Sequence, residues 1–182
     1  MNILYTAEVT VTGGRNGQAL SRDGALEVKL SVPREMGGTG DLGTNPEQLF
    51  AAGYAACFQS ALMGAARRKH LDASSSVITA KVGIGPTGRG GFALEVELHI
   101  ELPGVEQSVG EELVAIADSI CPYSNATRGN IPVKLVLEKP SPTAAGVPHV
   151  LPDTRDLRPR PDRDDQRVEP LWHRFPRCAW PL

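Results

Sequence analysis

The predicted helix that begins at Asn45 constrains the fold more than any other part of this chain. Asn45 is a good N-cap, Pro46 suits the first helical turn, and Glu47 complements the positive end of the helix dipole. An alanine-rich sequence follows and ends in three cations at 67–69, which favour a helix C-terminus. Because residues 49–62 are apolar nearly all round, we expect this helix to be buried on every side, in the core of its own chain or in one shared with a second subunit.

Alternating apolar and polar residues on both sides of this helix indicate β-strands. Strands are predicted at 5–11, 26–32, 77–84, 94–102 and 133–137, and the first two suggest a hairpin with a glycine-rich turn at 13–17. A second, amphipathic helix is predicted from Val109 to Cys121, where it stops because the residue before Pro122 is pushed out of helical geometry. Strands clustered around two helices favour an α+β fold over a doubly wound one.

The composition changes near Lys139, which divides the chain into a domain at 1–139 and a tail at 140–182. The tail is rich in Pro, Arg and Asp and has neither helical nor strand periodicity, so we expect it to be disordered. Two interpretations of it stay open. One is a non-native extension, and the other is a docking motif carried by Trp172, Phe175 and Trp180.

Charge and cysteine content narrow the class of protein. A net charge of -2 gives no electrostatic footprint for nucleic acid. The longest unbroken apolar run, 49–58, is shorter than the about 20 residues that a membrane span needs, and no secretory signal is recognised at the N-terminus. Three cysteines in such a chain do not indicate a disulfide framework. We therefore expect a cytoplasmic protein with reduced thiols.

Cys57 and Cys121 are the candidates for chemistry. Cys57 lies inside the apolar run 49–58, and Cys121 directly precedes Pro122. A cysteine reacts as its thiolate, and a free thiol has a pKa of about 8.5, so a reactive Cys57 needs a nearby cation. Either cysteine alone would more often be a small packing residue. As a pair they suggest redox chemistry.

Arg15, in the turn at 13–17, is the cation that can reach Cys57 from outside its helix, and its guanidinium stays charged. Glu47 is the carboxylate that would fix the arginine. A straight helix separates Glu47 from Cys57 by about 15 Å. Arg15 therefore bridges the gap, the helix breaks at Gly53, or a partner subunit supplies a group. Otherwise Arg15 is a solvated turn residue and Glu47 a capping charge.

Three segments together carry a resemblance to a known family. They are GGRNG at 13–17, NPEQLFAAGYAACF at 45–58 and CPYSNATRGNIPV at 121–133. They resemble the organic hydroperoxide resistance (Ohr) branch of the Ohr/OsmC superfamily, over about residues 1–139. The resemblance implies an OsmC-like α+β fold, with antiparallel sheets packed around long central helices. It also implies an intertwined homodimer with two active sites at its interface.

The resemblance further implies a thiol peroxidase that reduces alkyl and fatty-acid hydroperoxides to alcohols. By motif position, Cys57 matches the peroxidatic cysteine and Cys121 the resolving one, while Arg15 would stabilise the thiolate and Glu47 would orient Arg15. Cys57 would form a sulfenic acid and then a disulfide with Cys121. The family uses no bound cofactor, and an external dithiol, dihydrolipoamide or a lipoylated protein, would recycle the enzyme.

Three further hypotheses concern the substrate pocket, metal binding and an alternative function. Phe50, Tyr54 and Phe58 would line a pocket for the alkyl group, although their four-residue spacing is more often that of core packing. His70 and His99 have no metal-ligand spacing with the cysteines, so we expect no metal. The alternative function is a non-catalytic thiol sensor or binding module on the same scaffold.

Overall fold

The structure is a computed structural model that describes residues 2–139 of the 182-residue chain. The predicted disorder of 140–182 and its proposed docking aromatics lie outside the described residues. The elements in chain order are β1 (Val9–Thr12), β2 (Gln18–Ser21), β3 (Glu27–Lys29), α1 (Pro46–Arg68), β4 (Val77–Pro86), β5 (Phe92–Glu101), α2 (Gln107–Ile120), α3 (Pro122–Thr127) and β6 (Val133–Leu137). This arrangement confirms the α+β prediction.

The six strands form two three-stranded sheets, the first from strands that precede α1 and the second from strands that follow it. The first has the order β1-β2-β3 and is antiparallel throughout. The second has the order β4-β5-β6, in which β4 and β5 are antiparallel but β5 and β6 are parallel. The expectation of purely antiparallel sheets is therefore wrong for β6. The chain leaves β5 and crosses over through α2 and α3 before it forms β6, and such a crossover allows a parallel pair.

The α1 helix begins and ends where its capping signals predict. The Asn45 side chain accepts a hydrogen bond of 2.8 Å from the backbone N–H of Gln48, which satisfies one of the free donors of the first turn. The helix then runs without interruption through Gly53. A break at Gly53 is thus excluded as the way to bring Glu47 towards Cys57.

Burial of α1 is one-sided in the single chain. Its core face carries Tyr54, Phe58 and Leu62, which are fully buried, whereas Ala52 and Ala56 on the opposite side are exposed. The prediction of burial on every side is wrong for one chain, because β4 and α2 cover only one side of the helix. Within the described residues, α1 therefore keeps an exposed apolar surface.

By length and hydropathy alone, α1 is long and apolar enough to cross a membrane. The unbroken apolar run at 49–58 is shorter than the apolar part of the helix, so the predicted length of the apolar segment was too small. In the structure α1 packs against β4 and α2, and its core face joins the buried side chains of β5 and α2 in one cluster. Such packing is that of a core helix.

The N-terminal segment differs from its prediction in two ways. Residues 2–8 form no strand, so the predicted strand at 5–11 begins only at Val9. Its partner is β2, a short strand that the sequence did not predict, and β2 then pairs with β3. The turn at 13–17 is confirmed, with a single 3-10 turn at Gly14–Asn16. This turn carries Arg15 to the site.

Candidate active site

Cys57 and Cys121 lie next to each other although 64 positions separate them in sequence. Cys57 is half-buried in the middle of α1, and Cys121 is fully buried at the junction of α2 and α3. Their Sγ atoms are 3.7 Å apart. A disulfide bond is about 2.05 Å long, so the sulfurs need to approach by only about 1.7 Å to bond.

The junction that places Cys121 follows from the proline after it. Cys121 adopts an extended conformation, with φ −67° and ψ 122°, and is both the C-cap of α2 and the N-cap of α3. Pro122 excludes helical geometry at the preceding residue, and it is well suited to the first position of a new helix. The chain therefore turns at Cys121 and aims the thiol at α1.

The surroundings of Cys57 keep its thiol protonated in the single chain. Burial raises the pKa of Cys57, and the contact with the Cys121 side chain, whose sulfur lies 3.7 Å away, raises it further. A contact with the backbone N–H of Tyr123 acts in the opposite direction and lowers the pKa. Activation of Cys57 at neutral pH thus requires a further positive charge.

Arg15 and Glu47 form a bidentate ion pair. The two guanidinium nitrogens of Arg15 donate to the two carboxylate oxygens of Glu47 at 2.9 Å and 2.7 Å. The hydrogen bond from Arg15 lowers the pKa of Glu47, against the smaller effect of burial, and the same bond raises the pKa of Arg15. Paired forks of this kind fix the orientation of both side chains.

The structure thus brings the four predicted residues together as two pairs. Among residues 2–139, the guanidinium of Arg15 has hydrogen bonds to Glu47 and none to Cys57. The straight helix keeps Glu47 and Cys57 about 15 Å apart. Of the three solutions considered for this gap, bridging by Arg15 within the same chain is not observed. The supply of a group by a partner subunit remains.

A cleft of about 610 Å³ opens beside the Arg15–Glu47 pair. Besides that pair, its lining residues are Pro46, Phe50, Ile84, Phe92, Ala93, Leu94, Ala126, Thr127, Asn130 and Ile131. Phe50 is the only one of the three predicted pocket aromatics in this lining, since Tyr54 and Phe58 are fully buried in the core. An apolar wall beside a fixed charged pair is suited to a ligand with an apolar body and a polar end.

Sequence reasoning missed α3 and the contacts that it makes. Tyr123 stacks on Tyr54 with ring centroids 5.5 Å apart, and the Tyr54 hydroxyl lies 3.0 Å from the Ser124 hydroxyl. Pro122 was interpreted only as the end of α2. A proline at the first helical position followed by Tyr-Ser-Asn-Ala-Thr was a signal for a second helix start.

Neither histidine named in the sequence analysis lies in a metal-binding arrangement. Among the described residues, no group of three or more His, Cys, Asp or Glu side chains could hold a metal ion. His99 lies between two carboxylates, with Nδ1 2.6 Å from Glu138 and Nε2 3.1 Å from Glu97. These contacts raise the pKa of His99, as expected for an imidazole that forms ion pairs.

Comparison with known proteins agrees with this geometry. The profile of the family described as OsmC-like protein matches residues 38–136. An organic hydroperoxide resistance protein of Xanthomonas axonopodis pv. citri is 55% identical over 136 residues, which cover 74% of this chain and 95% of the relative. OhrB of Bacillus subtilis is 42% identical over 135 residues, covering 74% of this chain and 98% of the relative.

Solved structures extend the likeness to the fold. The crystal structure of an organic hydroperoxide resistance protein from Elizabethkingia anophelis matches with a TM-score of 0.73 at 49% identity, and covers 77% of this chain and 100% of that chain. The matches span nearly the full length of these relatives, and the family profile at residues 38–136 includes both cysteine segments. The chain therefore belongs to the OsmC-like family, within its branch of organic hydroperoxide resistance proteins.

Proposed function

We propose that this chain is a cysteine-based peroxidase that reduces organic hydroperoxides to alcohols. The observation that carries the proposal is the 3.7 Å separation of the Cys57 and Cys121 sulfurs, one half-buried and one fully buried. A half-buried thiol is within reach of a substrate, and a buried second thiol is ready to receive the oxidised sulfur. The names of the relatives, which refer to resistance against organic hydroperoxides, support the same substrate class.

The chemistry proceeds in three steps. The Cys57 thiolate attacks the terminal oxygen of the hydroperoxide, the O–O bond breaks, and an alcohol leaves after it takes up a proton. Cys57 is now a sulfenic acid, and the Cys121 sulfur displaces its hydroxyl group as water to form the disulfide. An external dithiol then exchanges with this disulfide and returns both thiols. We assign that role to dihydrolipoamide or a lipoylated protein, as expected for this family.

Arg15 is the group that would supply the positive charge that Cys57 lacks. We assign Arg15 to stabilisation of the Cys57 thiolate and of the attacked peroxide, and Glu47 to orientation of Arg15. Their bidentate pair supports these roles, because a guanidinium held at two points is aimed before the substrate arrives. The distance along α1 supports a homodimer in which each Cys57 meets the Arg15–Glu47 pair of the partner subunit.

The remaining assignments concern setting and substrate binding. Phe50 would contact the alkyl group from the wall of the cleft. We place the enzyme in the cytoplasm, because a cysteine pair that an external dithiol must re-reduce is suited to a reducing compartment. The catalytic unit would be residues 1–139, with 140–182 as an appendage that takes no part in the reaction.

Peptide mapping tests the proposal directly. Reduced protein treated with cumene hydroperoxide should yield one Cys57–Cys121 disulfide and one equivalent of alcohol. Cys57→Ser should consume no peroxide, whereas Cys121→Ser should react once and then stall or overoxidise. If both variants sustain the turnover of the unaltered protein, or if the unaltered protein keeps free thiols while peroxide persists, the peroxidase assignment is wrong.

A sensor on the same scaffold would form the same disulfide, so a second assay is needed to separate the two functions. With dihydrolipoamide in excess, an enzyme consumes many equivalents of hydroperoxide at a steady rate. A sensor consumes one equivalent for each slow re-reduction. The number of hydroperoxide molecules consumed per protein molecule at steady state therefore decides between peroxidase and sensor.

A further inference from the structure

A buried cluster of hydroxyl groups connects α1 to α3. Tyr54 is fully buried, and its hydroxyl lies 3.0 Å from the Ser124 hydroxyl and 3.4 Å from the Thr127 hydroxyl. Ser124 and Thr127 are 2% and 6% exposed, so neither has ready access to solvent. We call these three side chains the hydroxyl cluster. A buried hydroxyl without a partner is costly, so the Tyr54 hydroxyl depends on Ser124 and Thr127.

The cluster holds a helix that is too short to be stable alone. The α3 helix has only six residues, well below the length at which an isolated helix persists in water. Thr127 also donates within α3 to the carbonyl oxygen of Tyr123 at 2.9 Å or of Ser124 at 3.2 Å, which couples the cluster to the α3 backbone. The position of α3 against α1 therefore depends on polar contacts that Tyr54 completes.

Two groups of the redox centre move with α3. Cys121 is its N-cap, and the backbone N–H that contacts Cys57 belongs to Tyr123, the second residue of the helix. A shift of α3 away from α1 would change the separation of the two sulfurs, which is 3.7 Å. The hydroxyl cluster has no hydrogen bond to either sulfur among the described residues, so it acts on the thiols through the position of α3.

We propose that the hydroxyl cluster of Tyr54, Ser124 and Thr127 positions Cys121 for disulfide formation by holding α3 against α1. This inference rests on the proposed peroxidase cycle. Tyr54 is accordingly a positioning residue, and its phenol group serves the second step of the reaction rather than the binding of the alkyl group.

Disulfide formation competes with further oxidation of the Cys57 sulfenic acid. The Cys121 sulfur attacks the Cys57 sulfenic acid, the S–O bond breaks, the S–S bond forms, and the hydroxyl group leaves as water with the Cys121 proton. Cys121 is oxidised and the sulfenic sulfur is reduced. A second molecule of hydroperoxide can instead oxidise the sulfenic acid to sulfinic acid, which the external dithiol does not restore. The placement of Cys121 decides how often each outcome occurs.

Tyr54→Phe is the informative variant, because it keeps the buried ring and its stacking on Tyr123 but removes the hydroxyl. We expect the rate of disulfide closure to fall about tenfold, as is usual when a buried hydrogen bond that holds a reacting group is lost. The yield of Cys57 sulfinic acid at high hydroperoxide should rise by a similar factor. The first step should slow less, through a raised pKa of Cys57 as the Tyr123 N–H moves away.

Ser124→Ala and the double variant with Tyr54→Phe complete a cycle. If both hydroxyls act through one contact, the double variant closes its disulfide no more slowly than the slower single variant. Ser119→Ala is the matched control. It removes an exposed hydroxyl that donates to the carbonyl oxygen of Ile116 in α2, close to Cys121 in sequence but outside the cluster, and should close at the rate of the unaltered protein.

Stopped-flow kinetics and mass spectrometry of Cys57 give closure rates and sulfinic yields, and circular dichroism verifies that each variant is folded. If the unaltered protein forms its disulfide, and Tyr54→Phe and Ser124→Ala form theirs as fast as the unaltered protein does, the positioning role is wrong and the peroxidase assignment stands. If the unaltered protein forms no disulfide, the peroxidase assignment itself is wrong. A Tyr54→Phe variant that fails to fold leaves Ser124→Ala to decide.

Discussion

At the scale of single residues, the charged pair and the redox-active cysteines of the site occupy different places in the chain. The Cys57 thiol lies in surroundings that raise its pKa, while the guanidinium that would lower that pKa is bound to Glu47. Glu47 has a side chain that is only 12% exposed, against 36% for Arg15. Glu47 therefore holds the arginine in place on the wall of the cleft, and Arg15 keeps an accessible side for another charged group.

The Arg15–Glu47 pair predicts a pH dependence of stability. Because Arg15 lowers the pKa of Glu47 in the folded chain, the pair stabilises the protein above the ordinary pKa of about 4.3. This contribution is lost as pH falls through the lowered folded pKa. Glu47→Gln removes it, so we expect the variant to be less stable at pH 7, by up to about 1 kcal/mol for a partly exposed pair. Thermal unfolding between pH 3 and pH 7 measures the difference.

The control for this prediction is Glu8→Gln, which removes the carboxylate of an exposed pair with Arg22. That pair lies mostly in solvent and should contribute little to stability. The Glu47 effect should shrink as pH falls below the ordinary pKa of Glu, because the carboxylate then becomes protonated first in the unfolded state and, at lower pH, in the folded state. A stability difference for Glu47→Gln that stays constant down to the lowest pH would contradict the assigned cause.

At the scale of elements, the contact between α1 and α3 depends on a glycine. A Cβ atom added at Gly53 would lie 2.7 Å from the hydroxyl of Tyr123, whereas one added at Gly64 would meet nothing within 4 Å. Gly53 thus allows the Tyr123 ring to lie directly on the α1 helix, in contact with the rings of Phe50 and Tyr54. The glycine contributes close packing and not helix flexibility, since α1 passes through it unbroken.

Two glycine substitutions in α1 should therefore have opposite signs. Gly64→Ala should stabilise the protein by about 0.5–1 kcal/mol, because alanine is the better helix former and has free space. Gly53→Ala has the same gain in propensity but displaces Tyr123, and we expect a net loss of about 1 kcal/mol or more. Urea unfolding of the two variants gives the comparison. Equal stabilisation by both substitutions would show that Tyr123 yields without cost.

The elements also show what the sequence could and could not predict. The α1 helix, α2, β4, β5 and β6 were found because their periodic patterns are long or their capping signals strong. The α3 helix and β2 have six and four residues, too few to establish a period. The parallel pairing of β6 depends on the path of the chain through α2 and α3, which local patterns do not contain.

The contacts of the site likewise include some that the sequence predicted and some that it did not. The pairing of Cys57 with Cys121 and of Arg15 with Glu47 was anticipated from residue chemistry and from the family resemblance. The hydroxyl cluster was not, because the Tyr54 hydroxyl meets residues 70 and 73 positions away. Tyr54 was instead assigned to the substrate pocket, since its spacing with Phe50 is the same for a core helix face as for a pocket wall.

At the scale of the whole molecule, a single chain leaves much apolar surface exposed. The N-terminal segment and first sheet expose large apolar side chains, namely Ile3, Leu4, Tyr5, Val9, Val11 and Leu20. All four residues of β1 are exposed, and within residues 2–139 one side of α1 is left exposed at Ala52 and Ala56. Apolar surface of this extent on a folded domain indicates an interface. It supports the proposal of a homodimer in which the uncovered side of α1 faces a second copy.

If each active site combines residues of both chains, dimers formed from two different inactive variants should regain activity. Arg15→Ala and Cys57→Ser chains should each form inactive homodimers. In a mixed dimer, one site combines the intact Cys57 of the first chain with the intact Arg15–Glu47 pair of the second. We expect unfolding and refolding of an equal mixture to restore about a quarter of the unaltered activity, because half the dimers are mixed and each has one complete site.

Sedimentation must show the mixture at twice the 19.4 kDa mass of one chain, so that dimers are known to have formed. The matched control mixes Cys57→Ser with Cys121→Ser. Both cysteines of the redox centre lie in one chain, so neither site of that mixed dimer is complete and steady turnover should not return. If the first mixture also stays inactive although mixed dimers are present, Arg15 acts within its own chain, and α3 or the turn at 13–17 must then move to bring Arg15 to Cys57.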